Sequence, residues 1–286
     1  MELVSVIIPT YNRANVIAES INSVLNQTYS NLELIIVDDY STDNTEEIIR
    51  NMGDRRLVYY KLDKNRGACF ARNYGIEKAR GELIAFQDSD DIWLPTKLEK
   101  QVSCINELDG SYGMVYCSFT RNYGSKSIVP RPQEKNTSGN IHKKLLYGNF
   151  IGTPTILCKR DIFNKTGSFD DSLTALQDWD LVLRISKEYK IMHLKESLVN
   201  ARITSDSITK NFNKGILARE YFFSKHKEDM DKMTLRKWHF GMGTFLKRAN
   251  RLKEARESYF KAINFQSKWG IKAIMQYFPL ALSIKV

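Results

Sequence analysis

Asp38 and Asp39 close the apolar run LELIIV (residues 32–37), and Asp88, Asp90 and Asp91 stand within five residues after LIAF (83–86), following Gln87. Carboxylates at the ends of buried segments can accept hydrogen bonds from a base N–H or a ribose hydroxyl, or can hold a divalent ion. Three such groups side by side repel one another when left unpaired. A cation relieves that repulsion, and oxygen ligands suit magnesium or manganese. The competing reading of Ser89-Asp90-Asp91 is a cap for a helix beginning near Pro95. Asp178 opens the amphipathic segment DWDLVLRI (178–185), a place that favours a helix cap. Neither GxGxxG nor GxxxxGK[ST] occurs in the chain, so a bound nucleotide would be held by another device.

The elements that must position these residues alternate in period. SVIIP, LELIIVD, RLVYYKL and ELIAFQ read as strands, and VIAESINSVL, TEEIIRNM, ACFARNYGIEKA and TKLEKQVSCINEL as the helices that follow them. Thr42 or Asp43 is the expected cap of the second helix. This is the pattern of an α/β fold, a mainly parallel sheet flanked by helices. Each strand delivers a polar cluster at its carboxyl end: Pro9-Thr10-Tyr11-Asn12, Asp38-Asp39, Asp63 to Gly67 and Gln87 to Asp91. Ligands bind at that edge of an open parallel sheet. From about 110 to 205 the pattern is mixed, with a polar loop over 121–140. From about 212 it is helical and rich in Lys, Arg and aromatics, and ANRLKEARESYFKAINFQ reads as a single tetratricopeptide-like hairpin.

The chain has 286 residues, 42% hydrophobic content and a formal charge of +10, enough for a full core plus an appendage. Its longest apolar runs fall well short of the roughly 20 residues that span a bilayer. No secretory leader is evident, so a cytoplasmic protein is expected, with peripheral membrane contact left open. Cys69, Cys104, Cys117 and Cys158 form no CxxC pair and read as reduced thiols, and the four histidines read as structural. The basic excess admits nucleic acid, anionic lipid or a phosphorylated small molecule. A nucleic-acid binder would use the cluster around Arg236, Lys237, Lys247, Arg248, Arg251 and Lys253, but that reading leaves the acidic edge unexplained, so no nucleic acid is expected.

In order and spacing, Pro9-Thr10-Tyr11-Asn12, Val37-Asp38-Asp39 with Ser41 and Asp43, Asn65-x-Gly67, Arg72-Asn73-x-Gly75, Asp88-Ser89-Asp90-Asp91 and Gln177-Asp178-Trp179-Asp180 resemble the motif series of family 2 glycosyltransferases of the GT-A fold. The resemblance covers residues 3 to about 205. It implies a Rossmann-like catalytic domain over 1–210, with a nucleotide-sugar half (1–105) and an acceptor half (106–210), followed by a small helical appendage over 211–286. It also implies an inverting transfer from a nucleotide-sugar donor, most often a UDP-sugar, to a hydroxyl of a glycan or lipid-linked acceptor in cell-surface polysaccharide or glycolipid synthesis.

Asp39 would then recognise the base or ribose, with Pro9, Thr10, Tyr11, Asn12, Asn65, Gly67, Arg72, Asp88 and Ser89 around the donor. Asp88 and Asp90 would be the DxD pair that holds Mn2+ or Mg2+, Asp90 most directly. Asp178 would be the general base, and Trp179 and Trp93 would meet the acceptor. A catalytically silent nucleotide-sugar binder is the alternative. Three positions depart from the family's habit: Tyr40 stands where Gly is common, Gln177 where Glu is common, and Thr204 where His is frequent. The QxxRW signature of processive enzymes is missing. The segment 268–286, KWGIKAIMQYFPLALSIKV, reads either as an interfacial helix on an anionic membrane or as a helix packed on the catalytic domain.

Overall fold

The computed structural model describes residues 1–123, 126–128, 137–202, 212–264 and 267–283. Packing divides the chain into two compact units. The first comprises Met1–His142, Phe150–Asp171 and Gln177–Ser205, and the second Lys143–Asn149, Ser172–Leu176 and Asp206–Val286. The boundary expected at 210/211, and Thr204 with it, lies outside the described residues.

In the first unit, β1 (Val4–Thr10), β2 (Leu32–Asp38), β3 (Leu57–Lys61) and β4 (Leu83–Phe86) pair in the order β3-β2-β1-β4, every pairing parallel. Every residue of β1, β2 and β4 is buried, as expected of strands covered on both faces. Glu33, in the middle of β2, is tolerated there because Ser5 Oγ, Arg80 N and Arg80 Nε all donate to its carboxylate. Between the strands run α1 (Ile17–Leu25), α2 (Thr45–Arg50) and α3 (Ala68–Lys78). Helix α3 lies close against β1, since a Cβ on Gly75 would meet Ile7 Cγ2 at 2.5 Å.

Beyond β4 the sheet becomes mixed. It continues through β8 (Ile156–Lys159), β6 (Tyr112–Tyr123), β9 (Lys190–Arg202) and β5 (Ile92–Trp93), with β7 (Lys126–Ile128) pairing β6. Strand β8 is antiparallel to both β4 and β6, whereas β9 runs parallel to β6 through several register shifts. The two-residue β5 was not legible as a strand. It forms by pairing Ile92 and Trp93 with Asn200 and Val199 of β9, so only a distant partner defines it. Helix α4 (Lys97–Asn106) covers this part, α6 (Ile162–Thr166) is short, and α7 (Gln177–Glu188) turns its Leu181, Val182, Leu183 and Ile185 inward, whereas the short α5 (His142–Tyr147) falls, but for His142, in the second unit.

The second unit carries α8 (Phe212–His226), α9 (Lys232–Arg248), α10 (Leu252–Ala262) and α11 (Lys268–Ser283). The stretch 249–266, read as a hairpin, holds one helix among the described residues, α10; the hairpin it belongs to is made with α9, outside that stretch, across a turn with Asn250 at φ 60°. Its core holds Met242, Leu246, Ala255, Tyr259, Ala262, Ala273 and Leu280. Among the described residues no helix is long and apolar enough to cross a membrane.

Candidate active site

Because β1 to β4 are parallel neighbours, their carboxyl ends fall on one edge, and the four polar clusters come together there. The clusters are tied to one another by hydrogen bonds. Asn12, in the left-handed region at φ 49°, donates its backbone N–H to Ser41 Oγ at 2.9 Å and accepts at Oδ1 from Thr42 N at 2.8 Å. Asp43 accepts from Ala14 N and from Thr45 N and Oγ1. Neither cap expected for α2 takes the flanking position, which is Asn44, but Asp43 accepts from the first helical amide, Thr45 N.

Asp38 is fully buried and satisfied within the fold, accepting from Ser41 N and Tyr59 Oη at 2.7 Å each. Asp39 is buried as well, and its two oxygens accept from Arg66 N and Gly67 N at 2.7 Å. Burial pushes its pKa upward, the two amides pull it down and neighbouring Asp38 pushes it up again, with a net rise. Each carboxylate oxygen has a further lone pair for a base or ribose. Asp39 thus fixes the loop that enters α3, in which Gly67 adopts φ 91° with open space above its Cα. Asn65, in the same loop, is exposed.

Pro9, Thr10 and Ser89 are buried, and Tyr11 is 45% exposed at the rim. Tyr40 takes φ 73°, the left-handed conformation that a glycine adopts without strain. The turn after Asp39 therefore keeps a glycine-like backbone under a tyrosine side chain.

Arg72 reaches from α3 to the other side of the site. Its Nη2 donates to Asp88 Oδ1 at 2.7 Å, its Nη1 to Gln177 Oε1 at 3.3 Å, and its guanidinium lies 5.3 Å from the Phe169 ring centroid. Arg72 thereby joins the DSDD segment to the start of α7. Thr10 Oγ1 and Arg72 Nε are buried without a hydrogen-bond partner among the described residues, and both border this edge. Native proteins leave few such atoms unsatisfied.

Asp178 is half-buried in the first turn of α7, accepting from Trp179 N at 2.7 Å. Its pKa is pushed up to about 6, chiefly by burial and further by the charge of Asp88, against the pull of the Trp179 amide and of Arg72. Asp180 beside it is wholly buried and salt-bridged to Arg184, which also donates to the carbonyls of Thr166, Gly167 and Ser168. Of the two acids around Trp179, one is therefore structural and the other carries the perturbed carboxyl.

Asp91 is 5% exposed, accepts from Arg202 N at the end of β9, and is pushed well above the usual carboxylate range by burial and by Asp88 and Asp90. The segment does not cap α4, whose flanking residue is Thr96. No group of three or more His, Cys, Asp or Glu able to hold a metal occurs among the described residues. Asp88, with one oxygen on Arg72, and the half-buried Asp90 present two carboxylates. That set would suit a hard divalent ion such as Mg2+ or Mn2+, which takes oxygen ligands.

Trp179 is half-buried. Trp93 corrects the expectation of an acceptor contact. It is 2% exposed, its Nε1 donates to the Pro154 carbonyl at 3.0 Å, and the Lys97 ammonium sits 3.6 Å from its ring centroid. The ring is committed to the core, and no face of it remains for a sugar.

Asn73 stands in the Arg72-Asn73-x-Gly75 motif but was given no role; its side chain donates to the Phe169 carbonyl and to Asp171 and accepts from Phe169 N, fixing the approach to α7. His193 is structural as expected, stacked on Tyr116 and bonded to Ser118 and Thr137.

Comparison with known proteins agrees with this geometry. The model of the family described as Glycosyl transferase family 2 matches residues 5–167. An uncharacterized glycosyltransferase of Rickettsia typhi is 35% identical over 205 residues, covering 70% of this chain and 64% of the relative. A Rickettsia conorii relative, 35% identical over 243 residues, is covered over only 40% of its own length. The Escherichia coli UDP-Glc:alpha-D-GlcNAc-diphosphoundecaprenol beta-1,3-glucosyltransferase WfgD is 34% identical over 213 residues, 73% of this chain and 80% of WfgD. Among solved structures, S. aureus TarS 1-349 with UDP-GlcNAc superposes with a TM-score of 0.64 at 19% identity, over 100% of this chain and 92% of that 1-349 chain. The Pyrobaculum calidifontis mannosyltransferase PcManGT with GDP-Man and Mn2+ gives 0.65 at 20% identity, over 99% and 86%. The motif series, the sheet edge and these matches agree: the chain belongs to glycosyl transferase family 2 and has the GT-A fold.

Proposed function

We propose that the chain is an inverting glycosyltransferase that moves a sugar from a UDP-sugar to a hydroxyl of a lipid-linked or glycan acceptor in cell-surface polysaccharide or glycolipid synthesis. The observation that carries this reading is the sheet edge where Thr10, Asp39, Gly67 and Asp88–Asp91 converge, with Arg72 linking that edge to the helix of Asp178. The UDP-Glc specificity and diphosphoundecaprenol acceptor in WfgD's name support the choice of substrates. Residues 1–210 form the catalytic domain in this reading, and 211–286 the appendage.

Asp39 accepts from the base or ribose, Thr10 and Tyr11 line that pocket, and Asn12, Asn65 and Ser89 shape its rim. The open space above Gly67 admits the donor close to the α3 backbone. Asp88 and Asp90 hold Mn2+ or Mg2+, which when bound neutralises charge on the diphosphate. Arg72 contributes a charge-assisted contact to the leaving phosphate. Asp178 accepts the acceptor hydroxyl's proton as that oxygen bonds to the anomeric carbon. The bond to the diphosphate oxygen breaks on the opposite face, and its electron pair leaves with the nucleotide. One displacement inverts the anomeric centre. A carboxyl with a pKa near 6 is ionised at neutral pH yet more basic than an ordinary aspartate, which suits a general base.

Thermal-shift screening of UDP-, GDP- and dTDP-sugars with manganese, followed by transfer of the best donor to a GlcNAc-diphospholipid, tests the reading. A UDP-sugar should raise the melting temperature and be consumed. Donor binding without consumption under every acceptor tried would favour a silent nucleotide-sugar binder instead.

A further inference from the structure

The formal charge of the chain is not spread evenly. Residues 1–211 carry 27 Lys and Arg against 27 Asp and Glu, whereas residues 212–286 carry 16 against 6, so the whole net +10 belongs to the C-terminal stretch. From 232 onward the imbalance is 12 against 2, and 268–286 contain no acid. Helix α11 begins in this stretch and exposes Ile271 at 49%, Met275 at 68% and Phe278 at 57%. Spacings of four and three residues put the three on one helical face. Lys268 and Lys272 are exposed on the same side, bordering the apolar centre. Phe260 of α10, 63% exposed, adjoins through Tyr277, whose ring centroid is 5.7 Å from that of Phe260 and 5.5 Å from that of Phe278. The opposite side of α11 is already used, since Ala273 and Leu280 are buried in the core of this unit. The exposed stripe is therefore surplus to that packing.

We propose that this face docks on an anionic bilayer surface, with Ile271, Met275, Phe278 and Phe260 entering the headgroup boundary and Lys268 and Lys272 meeting lipid phosphates. An apolar centre with basic flanks is the composition that suits an interfacial helix, and α11 carries no acid, although Glu257 of α10 is exposed three residues before Phe260. A nucleic acid would be met by the lysines but would leave the apolar centre without a partner. A second copy would bring two strongly basic faces together. Such docking follows from charge and exposure in α10 and α11 and does not depend on the sugar-transfer reading.

The test is sedimentation of the full chain with vesicles of phosphatidylcholine alone and of a phosphatidylcholine–phosphatidylglycerol mixture. The chain should pellet with the anionic vesicles only, and added salt should weaken the association. A triple variant, Ile271→Gln, Met275→Gln, Phe278→Gln, should bind at least tenfold more weakly with its melting temperature unchanged. Lys268→Gln with Lys272→Gln should reduce the preference for anionic vesicles. Equal binding by wild type and triple variant, equal binding to neutral vesicles, or no binding at all would overturn the proposal. So would concentration-dependent self-association or oligonucleotide binding that the triple variant abolishes while vesicle binding stays absent.

Discussion

Asp178→Asn separates the two roles that Asp178 can play, because they predict different pH dependences of stability. The carboxyl, near 3.8 in an unstructured chain, is pushed up to about 6 in the fold, mainly by burial. At about 1.4 kcal/mol per pH unit, ionised Asp178 therefore costs the folded state up to about 3 kcal/mol at pH 8. The folded pKa is the higher one. Below pH 4 the group is protonated in both states and the cost vanishes, and it grows as pH rises from 4 to 6. Asparagine removes the charge with little change of shape, so the variant should be more stable than wild type at pH 8 by up to about 3 kcal/mol. That is about 6–12 °C in melting temperature for a domain of this size, shrinking to near zero at pH 4. Transfer should meanwhile fall by roughly 100-fold or more, with donor and metal affinity retained. Melting at pH 4 and 8, calorimetry with donor and manganese, and a transfer assay read all three quantities. A helix cap would behave otherwise, since Asp and Asn cap about equally well and stability would move by a few tenths of a kcal/mol at every pH. A flat difference across pH, or an Asn variant that transfers at the wild-type rate, would refute the base assignment.

Asp90→Asn should weaken metal-dependent donor binding and transfer together, read by calorimetry with and without manganese. Arg72→Met leaves Asp88 without its guanidinium partner and should lower transfer by about 10- to 100-fold, the value of one or two charge-assisted hydrogen bonds, in a kcat/KM comparison. Tyr40→Asn replaces a residue strained at φ 73° by one that tolerates that conformation, and denaturant melts should show about 1 kcal/mol of added stability. Trp93→Phe removes the bond to the Pro154 carbonyl and part of the contact with Lys97, so it should cost about 1–3 kcal/mol of stability without changing acceptor KM.

The parallel half of the fold was legible because its strands are mostly apolar runs that end in polar clusters, and that pattern locates the sheet edge. What the sequence could not display is defined by contacts far apart in the chain. Strand β5 exists only through β9, more than a hundred residues away. The role of Asn73 depends on a loop near 169, and the burial of Asp91 on the backbone of Arg202. Trp93 misled for a related reason. Its neighbours in sequence are the acids of the site, but its side chain points to Pro154 and Lys97 in the core. The four residues Gln177 to Asp180 read as one motif, yet only burial distinguishes Asp180, paired to Arg184, from Asp178.

A single inverting displacement with Asp178 as base is tested most directly by the configuration of the first-formed product. Proton NMR of the reaction with an α-linked UDP-sugar and manganese, in transfer or in slow hydrolysis by water, reports that configuration before mutarotation obscures it. Wild type should give the β anomer, and Asp178→Asn a signal that grows at least ~100-fold more slowly. A product formed with the α configuration retained would contradict the inverting mechanism.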